Sequence, residues 1–138
     1  MALPNGAGGY QVGDGNLGEL QLGYAAAPTS VTGTATLTAA QVTAGILLVG
    51  SGATTAQTYT LPAASGIDSI LSSAKVGSTF DLNVVNLGTS SGTGALAMGS
   101  GTGFTDGGNA AVAVAVTSSA LFRFRKTGDG AWSVYKVA

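Results

Sequence analysis

Short runs of β-branched and aromatic residues, separated by glycine-rich turns, fill most of the chain from Thr29 onward. This pattern is typical of β-sandwiches and barrels, which need many short strands joined by tight turns. Long amphipathic helices do not alternate with the strands, so a βαβ arrangement is not expected. The sequence therefore predicts a mainly β fold, an antiparallel β-sandwich of jelly-roll type with one short helix, over residues 29–138.

Alternating side chains and turn residues define the predicted strands, which cover residues 31–37, 46–49, 57–61, 79–87, 95–98 and 110–116. A hairpin follows over residues 119–126 and 131–137, around a turn at residues 127–130. Residues 99–108 are predicted to form turns. Strict alternation of alanine and valine over residues 110–116 places Ala111, Ala113 and Ala115 on one face of a strand. Such a face is unusual in solvent and predicts close approach of another layer or subunit, which makes these alanines candidate subunit-interface residues.

Two segments carry helix signals. Thr38 and Gln41 have the spacing of a capping box, which predicts a single helical turn. A longer helix is predicted over residues 65–74, where Ser65 would cap the N-terminus and Asp68 would occupy the box position. One face of this helix is expected to pack on the sheet.

Residues 1–28 have a different character, with seven glycines and no sustained periodicity. Their end alternates over residues 20–24, which predicts one short strand. We predict that this segment is an extended N-terminal arm, because a disordered tail, the alternative, seldom carries seven large apolar residues. The predicted partner-binding residues of the arm are Leu3, Tyr10, Val12, Leu17, Leu20, Leu22 and Tyr24.

The side chains that enzymes use most are scarce, because the chain has six acidic residues, five basic residues, no histidine and no cysteine. Zinc ligation and a histidine-activated nucleophile are therefore not expected. The six acids are dispersed along the chain, and no spacing suggests the carboxylate pair of a glycosidase. The sequence predicts a protein that is not an enzyme and binds no cofactor or metal.

Two glycine-containing motifs in the arm match binding loops only in part. Gly13–Gly18 fits the G-x-G-x-x-G string of dinucleotide sites, but Gly23 and Pro28 leave no room for the helix that must follow. Asp14 begins a string like a calcium loop, but Ala25 stands where a bidentate glutamate is needed. Neither motif therefore predicts a ligand.

Net charge and hydropathy also limit the partners. A net charge of −1 predicts no affinity for nucleic acid or acidic membranes. No apolar run approaches the roughly 20 residues of a membrane helix. The first residues lack the features of a signal peptide, so we expect synthesis in the cytoplasm.

A pattern of segments runs in order along residues 31–138. It comprises Leu37-Thr38-Ala39-Ala40-Gln41, Gly45–Val49, Tyr59–Ala64, Gly77–Asn86 and the hairpin from Phe122 to Val137. The pattern resembles the small β-sandwich domain of tailed-bacteriophage head decoration (cement) and head-fibre proteins. The resemblance implies a homotrimer on the capsid exterior of the virion, bound to the major capsid protein at three-fold or quasi-three-fold sites. The resemblance assigns no functional residues to this chain.

A receptor- or sugar-binding jelly-roll module of a phage fibre is the alternative function. The aromatic residues Tyr59, Trp132 and Tyr135 could line a sugar site, or they could belong to the core or an interface. Their position in the fold distinguishes these two interpretations.

Overall fold

The structure, a computed structural model, describes residues 25–89, 94–97 and 102–138. The strands of this part are β1 (Thr29–Val31), β2 (Ala35–Thr36), β3 (Ile46–Val49), β4 (Gln57–Thr60), β5 (Thr79–Asn86), β6 (Gly94–Ala97), β7 (Phe104–Gly108), β8 (Ser119–Gly128) and β9 (Ala131–Lys136). The helices are α1 (Ala39–Val42) and α2 (Ala64–Ile70). In these ranges, no helix is long and apolar enough to cross a membrane.

The first six strands alternate between two sheets. β1, β3 and β5 are neighbours in a six-stranded sheet, while β2, β4 and β6 form a three-stranded sheet. All neighbours in this series are parallel. Parallel neighbours require a crossover connection, and each crossover here passes through a strand of the other sheet. The chain therefore winds through both sheets before it reaches its C-terminal part.

The C-terminal strands complete the larger sheet, whose order is β1-β3-β5-β8-β9-β7. β8 is antiparallel to both β5 and β9, and β7 lies parallel to β9 at the edge. The turn between β8 and β9 includes Gly130 at φ 62°, a left-handed conformation that favours glycine. The predicted hairpin is thus confirmed.

A single hydrophobic core lies between the two sheets and the helices. Strand β8 contributes the fully buried Phe122 and Phe124, because every second residue of this strand faces inward. The Phe80 ring stacks on Phe124 with 4.7 Å between ring centroids. From the smaller sheet, buried Tyr59 donates its hydroxyl to the Val31 carbonyl oxygen at 3.2 Å. The opposite face of the larger sheet is consequently directed away from this core.

The antiparallel jelly-roll arrangement predicted from the sequence is not confirmed. Five of the seven strand pairings are parallel, and the mainly β character alone agrees with the prediction. The physical reason is that alternation along a strand determines which face is buried but not the direction of its neighbour. The predicted strand at residues 31–37 is also divided, because β1 and β2 belong to different sheets.

The two helix predictions had different outcomes. Around α1 the capping box is confirmed, since Thr38 Oγ1 accepts from the Gln41 NH at 3.2 Å and Gln41 Oε1 accepts from the Thr38 NH at 2.8 Å. The second helix is shorter than predicted and begins at Ala64, with Ala63 as an N-cap that makes no side-chain hydrogen bond. Asp68 therefore does not cap this helix, and its side chain reaches β8 and β9 instead.

The predicted strand at residues 110–116 was wrong, and the turns predicted before it proved to contain β7. In residues 110–116 only Val114 forms an isolated β-bridge, and side chains bind two of the carbonyl oxygens of this segment. Asn86 Nδ2 donates to the Val114 carbonyl oxygen at 2.8 Å, and Lys136 Nζ donates to the Ala113 carbonyl oxygen at 3.1 Å. Positive φ angles at Asn109 and Thr117 bend the chain at either side of the segment.

Candidate functional site

The outer face of the larger sheet is the most distinctive surface of the described residues. Strand register aligns its outward side chains in rows across β1, β3, β5 and β8. One row contains Ser30, Leu48, Val85 and Ser119. On β3, β5 and β8 these side chains alternate with buried ones, and on β1 Ser30 alternates with the partly buried Val31, so the row is directed away from the core.

A second row lies beside the first and also contains both apolar and polar residues. It pairs Ile46 with Asn83 and Asn83 with Leu121. Val137 adjoins this row, because its NH donates to the Leu121 carbonyl oxygen at 2.9 Å. Ile46 is 40% exposed and Val137 is 49% exposed. We use the name apolar patch for the residues Ile46, Leu48, Val85, Leu121 and Val137, all of which are exposed or partly exposed.

The other half of the same face is polar. Arg123 donates from Nε and Nη2 to the two carboxylate oxygens of Asp81, at 2.8 and 2.9 Å. This hydrogen bonding by Arg123 lowers the pKa of the Asp81 carboxyl. Both side chains are substantially exposed, so the pair contributes little to stability. Arg125 follows on the same face of β8, and the face therefore divides into an apolar and a charged region.

An open pocket of about 560 Å³ lies at the border of the apolar patch. Its lining combines the end of β5 with the chain that enters β8, namely residues 85–87 and 117–119. Leu87 is 43% exposed at this border. The pocket extends the apolar surface and adds hydroxyl groups at its rim.

A buried polar cluster centred on Asp68 lies on the core side. Asp68 Oδ1 accepts from Lys126 Nζ at 3.1 Å and from Trp132 Nε1 at 2.8 Å, while Oδ2 accepts from the Gly130 NH. The Lys126 side chain is 7% exposed. Its ammonium also lies 6.0 Å from the centroid of the Trp132 ring, within cation–π range. The cluster joins helix α2 to the β8–β9 hairpin.

The chemistry of this cluster is that of a structural ion pair. The Gly130 NH, followed by the indole and ammonium donors, lowers the pKa of the Asp68 carboxyl below its ordinary value of 3.8, against the opposing effect of burial. Such a carboxylate remains ionised, and three donors already occupy its oxygens. It is therefore a poor proton acceptor for a substrate.

Acidification should weaken the fold through this carboxylate. Because the folded-state pKa of Asp68 is lowered, its contribution is complete well above pH 3.8 and is lost as pH falls through the folded-state pKa. We expect the free energy of unfolding to fall below about pH 5, and Asp68→Asn to reduce that dependence. Urea unfolding at a series of pH values measures the slope. Asp129→Asn, at a fully exposed side chain, is the control. An Asp68→Asn slope equal to that of the unaltered chain would contradict this expectation.

The predicted interface residues have different positions relative to the described structure. All seven predicted arm residues, from Leu3 to Tyr24, lie outside the described residues. Ala111, Ala113 and Ala115 are exposed, but they occupy an irregular segment and form no strand face. Their predicted role at a subunit interface stays a prediction.

The aromatic residues considered for a sugar site do not form an exposed platform. Tyr59 and Trp132 are each 1% exposed, and Trp132 donates to Asp68. Tyr135 alone is partly exposed, on the charged half of the outer face, with its ring against Gly107. Two of the three aromatics therefore belong to the core, which removes the observation behind a sugar site.

The apolar patch was not identified from the sequence as a site. A signal was present, since Val85 and Leu87 interrupt the polar face of β5 and Ile46–Val49 is apolar throughout. The sequence also indicated the burial of Lys126, because Lys126 lies on the same alternating face of its strand as Phe122 and Phe124. In both cases, the alternation of side chains along the strand indicated which face each residue occupies.

Comparisons with known proteins identified no relative of this chain. No family model, curated protein or solved structure matches it. The function is therefore inferred from the chain's own surfaces and chemistry.

Proposed function

We propose that this chain is a structural virion protein that decorates and stabilises a bacteriophage capsid as a homotrimer. The proposed partner is the major capsid protein, at three-fold or quasi-three-fold sites on the capsid exterior, after synthesis in the host cytoplasm. The observation that carries the proposal is the apolar patch on the outer face of the larger sheet, which supports association between the subunits of the homotrimer. The resemblance of the sequence to decoration proteins supplies the biological setting.

The apolar patch has the character of a surface that a protein partner covers. Its members come from β3, β5, β8 and the residue after β9, so the rigid sheet fixes their relative positions. Contiguous exposed apolar surface with a polar border marks association sites in soluble proteins. The Asp81–Arg123 pair supplies part of such a border.

The composition of strand β3 agrees with a covered outer face. All four of its residues, Ile46–Val49, are apolar, although only Leu47 and Val49 are buried in the core. Continuous apolar runs are typical of strands that are covered on both faces. We therefore propose that a protein layer covers Ile46 and Leu48 in the assembled state.

A structural role also agrees with the polar chemistry of the described residues. Donors within the fold already occupy the Asp68 carboxylate, and Arg123 engages the Asp81 carboxylate. Neither carboxylate is arranged to take a proton from a substrate. We accordingly propose that the protein acts by binding and not by catalysis.

Trimeric binding would multiply a modest contact. Burial of apolar surface contributes about 25 cal/mol per Å² before the costs of association are subtracted. Three copies held together engage their sites with a high effective concentration, which raises avidity without new contacts. A small domain could in this way clamp neighbouring capsid subunits.

Capsids purified without this chain provide the test of the proposed function. Added full-length protein should co-sediment with such capsids, and electron microscopy should show three-lobed density at three-fold or quasi-three-fold positions. Capsids that already carry the chain are the control, because their sites are filled. Failure to bind empty sites, or density at other positions only, would overturn the proposal.

A further inference from the structure

We infer that the apolar patch of one subunit binds residues 1–24 of the N-terminal arm of a second copy of the same chain. The inference rests on the proposed homotrimer and names the occupant of its subunit contact. It goes beyond that proposal because it assigns the two surfaces that meet.

The N-terminal arm joins the fold beside the apolar patch. Ser30 is aligned with Leu48, so the chain enters β1 beside the end of β3 where Ile46 lies. Residues preceding Thr29 therefore approach the larger sheet at the row that contains Ile46 and Leu121. The arm therefore joins the fold next to its own apolar patch, and it would contact the same patch on a neighbouring subunit.

The length of the arm favours a neighbouring copy. Six strands spaced about 4.8 Å apart make a sheet roughly 25 Å wide. Twenty-four extended residues reach up to about 80 Å. This maximum reach is about three times the width of the sheet, which is sufficient to contact another subunit.

Charge and apolar composition are complementary between the two surfaces. Asp14 and Glu19 are the only charged residues before Ala25, so the arm carries a charge of −2. The outer face carries Arg123 and Arg125 against the single acid Asp81. Apolar residues at the alternate positions Leu20, Leu22 and Tyr24 can contact the patch from one face of an extended segment.

A contact between two different surfaces is compatible with the symmetry of a trimer. A closed ring of three copies uses a heterologous interface, in which two different surfaces of each subunit meet. The apolar arm and the apolar patch are two such surfaces on one chain. Each subunit can then donate one arm and receive one arm.

Engineered disulfides test the contact cleanly, because the chain has no cysteine of its own. Full-length chains with Leu20→Cys or Leu22→Cys in the arm are mixed with chains carrying Leu48→Cys or Leu121→Cys in the patch. Thr58→Cys, exposed on strand β4 of the smaller sheet, is the control. The protein is oxidised in a glutathione buffer without capsids, and peptide mass spectrometry identifies the linked residues.

We expect at least one arm–patch pair to form an intermolecular disulfide at least about tenfold more than the arm–Thr58→Cys pair, since a bound arm raises the effective thiol concentration. Absence of enrichment in all four pairs would overturn the inference. A chain with both cysteines that links only within itself would also overturn it, because the occupant would be the chain's own arm. Arm–patch links in a protein that leaves capsids bare would support the inference and refute capsid decoration.

Discussion

Asp68→Ala is expected to destabilise the fold by about 3 kcal/mol, because the buried Lys126 ammonium then keeps only the fully exposed Asp129 carboxylate, 3.7 Å away, as a partner. The Lys126 side chain is 7% exposed and Asp68 Oδ1 lies 3.1 Å from its Nζ. The substitution also removes an acceptor for the Gly130 NH and the Trp132 indole. Urea unfolding at constant protein concentration measures the loss, and fluorescence of the single tryptophan reports it.

Two further variants identify the cause of this loss. Asp129→Ala removes an exposed carboxylate 3.7 Å from Lys126 Nζ and should leave the urea midpoint unchanged. Adding Lys126→Met to Asp68→Ala should recover part of the stability, because no unpaired charge remains buried. Equal midpoints for Asp68→Ala and Asp129→Ala would refute a structural role for the cluster.

Leu48→Asp combined with Val85→Asp is expected to abolish self-association while the domain stays folded. The two residues are paired across β3 and β5 at the centre of the apolar patch. Carboxylates are expensive to bury at an interface but tolerable on a solvent-facing sheet surface. Sedimentation velocity should show a loss of trimer of at least about tenfold, since each buried charge costs more than the 1.4 kcal/mol that corresponds to this factor.

The control for the patch variant changes the other sheet. Thr58 is exposed on β4, and Thr58→Asp should leave both the trimer and the melting temperature unchanged. Circular dichroism establishes that the patch variant retains its strands. A folded patch variant that remains fully trimeric would exclude the apolar patch as the subunit contact.

Local elements of this fold were predictable because their determinants are local. The capping box of Thr38 and Gln41 and the β8–β9 hairpin depend on residues only a few positions apart. Strands β3, β4 and β5 were also predicted close to their observed bounds. Such signals reflect propensity and turn chemistry within one short window.

The winding of the chain was not predictable in the same way. β5 lies next to β3 with Leu47 paired to Val84, and α2 and strand β4 lie between them in sequence. Alternation identifies the inward residues of each strand but not the neighbour or its direction. At residues 110–116, alternation was misleading because contacts from Asn86 and Lys136 satisfy the carbonyl groups of Val114 and Ala113.

The candidate surface was partly predictable from strand parity. Strand β3 has apolar residues on both of its faces, which indicates that both faces are covered. Alignment of Leu48 with Val85 required the register of the sheet, which depends on contacts distant in sequence. The apolar patch is therefore a product of the tertiary structure.

Sedimentation equilibrium of the unaltered, isolated chain tests the central claim that this protein is built to associate through its surfaces. We expect a species of three times the 13.3 kDa chain mass. Dissociation should follow when the apolar patch carries Leu48→Asp and Val85→Asp. A single 13.3 kDa species that persists at high protein concentration would contradict the account.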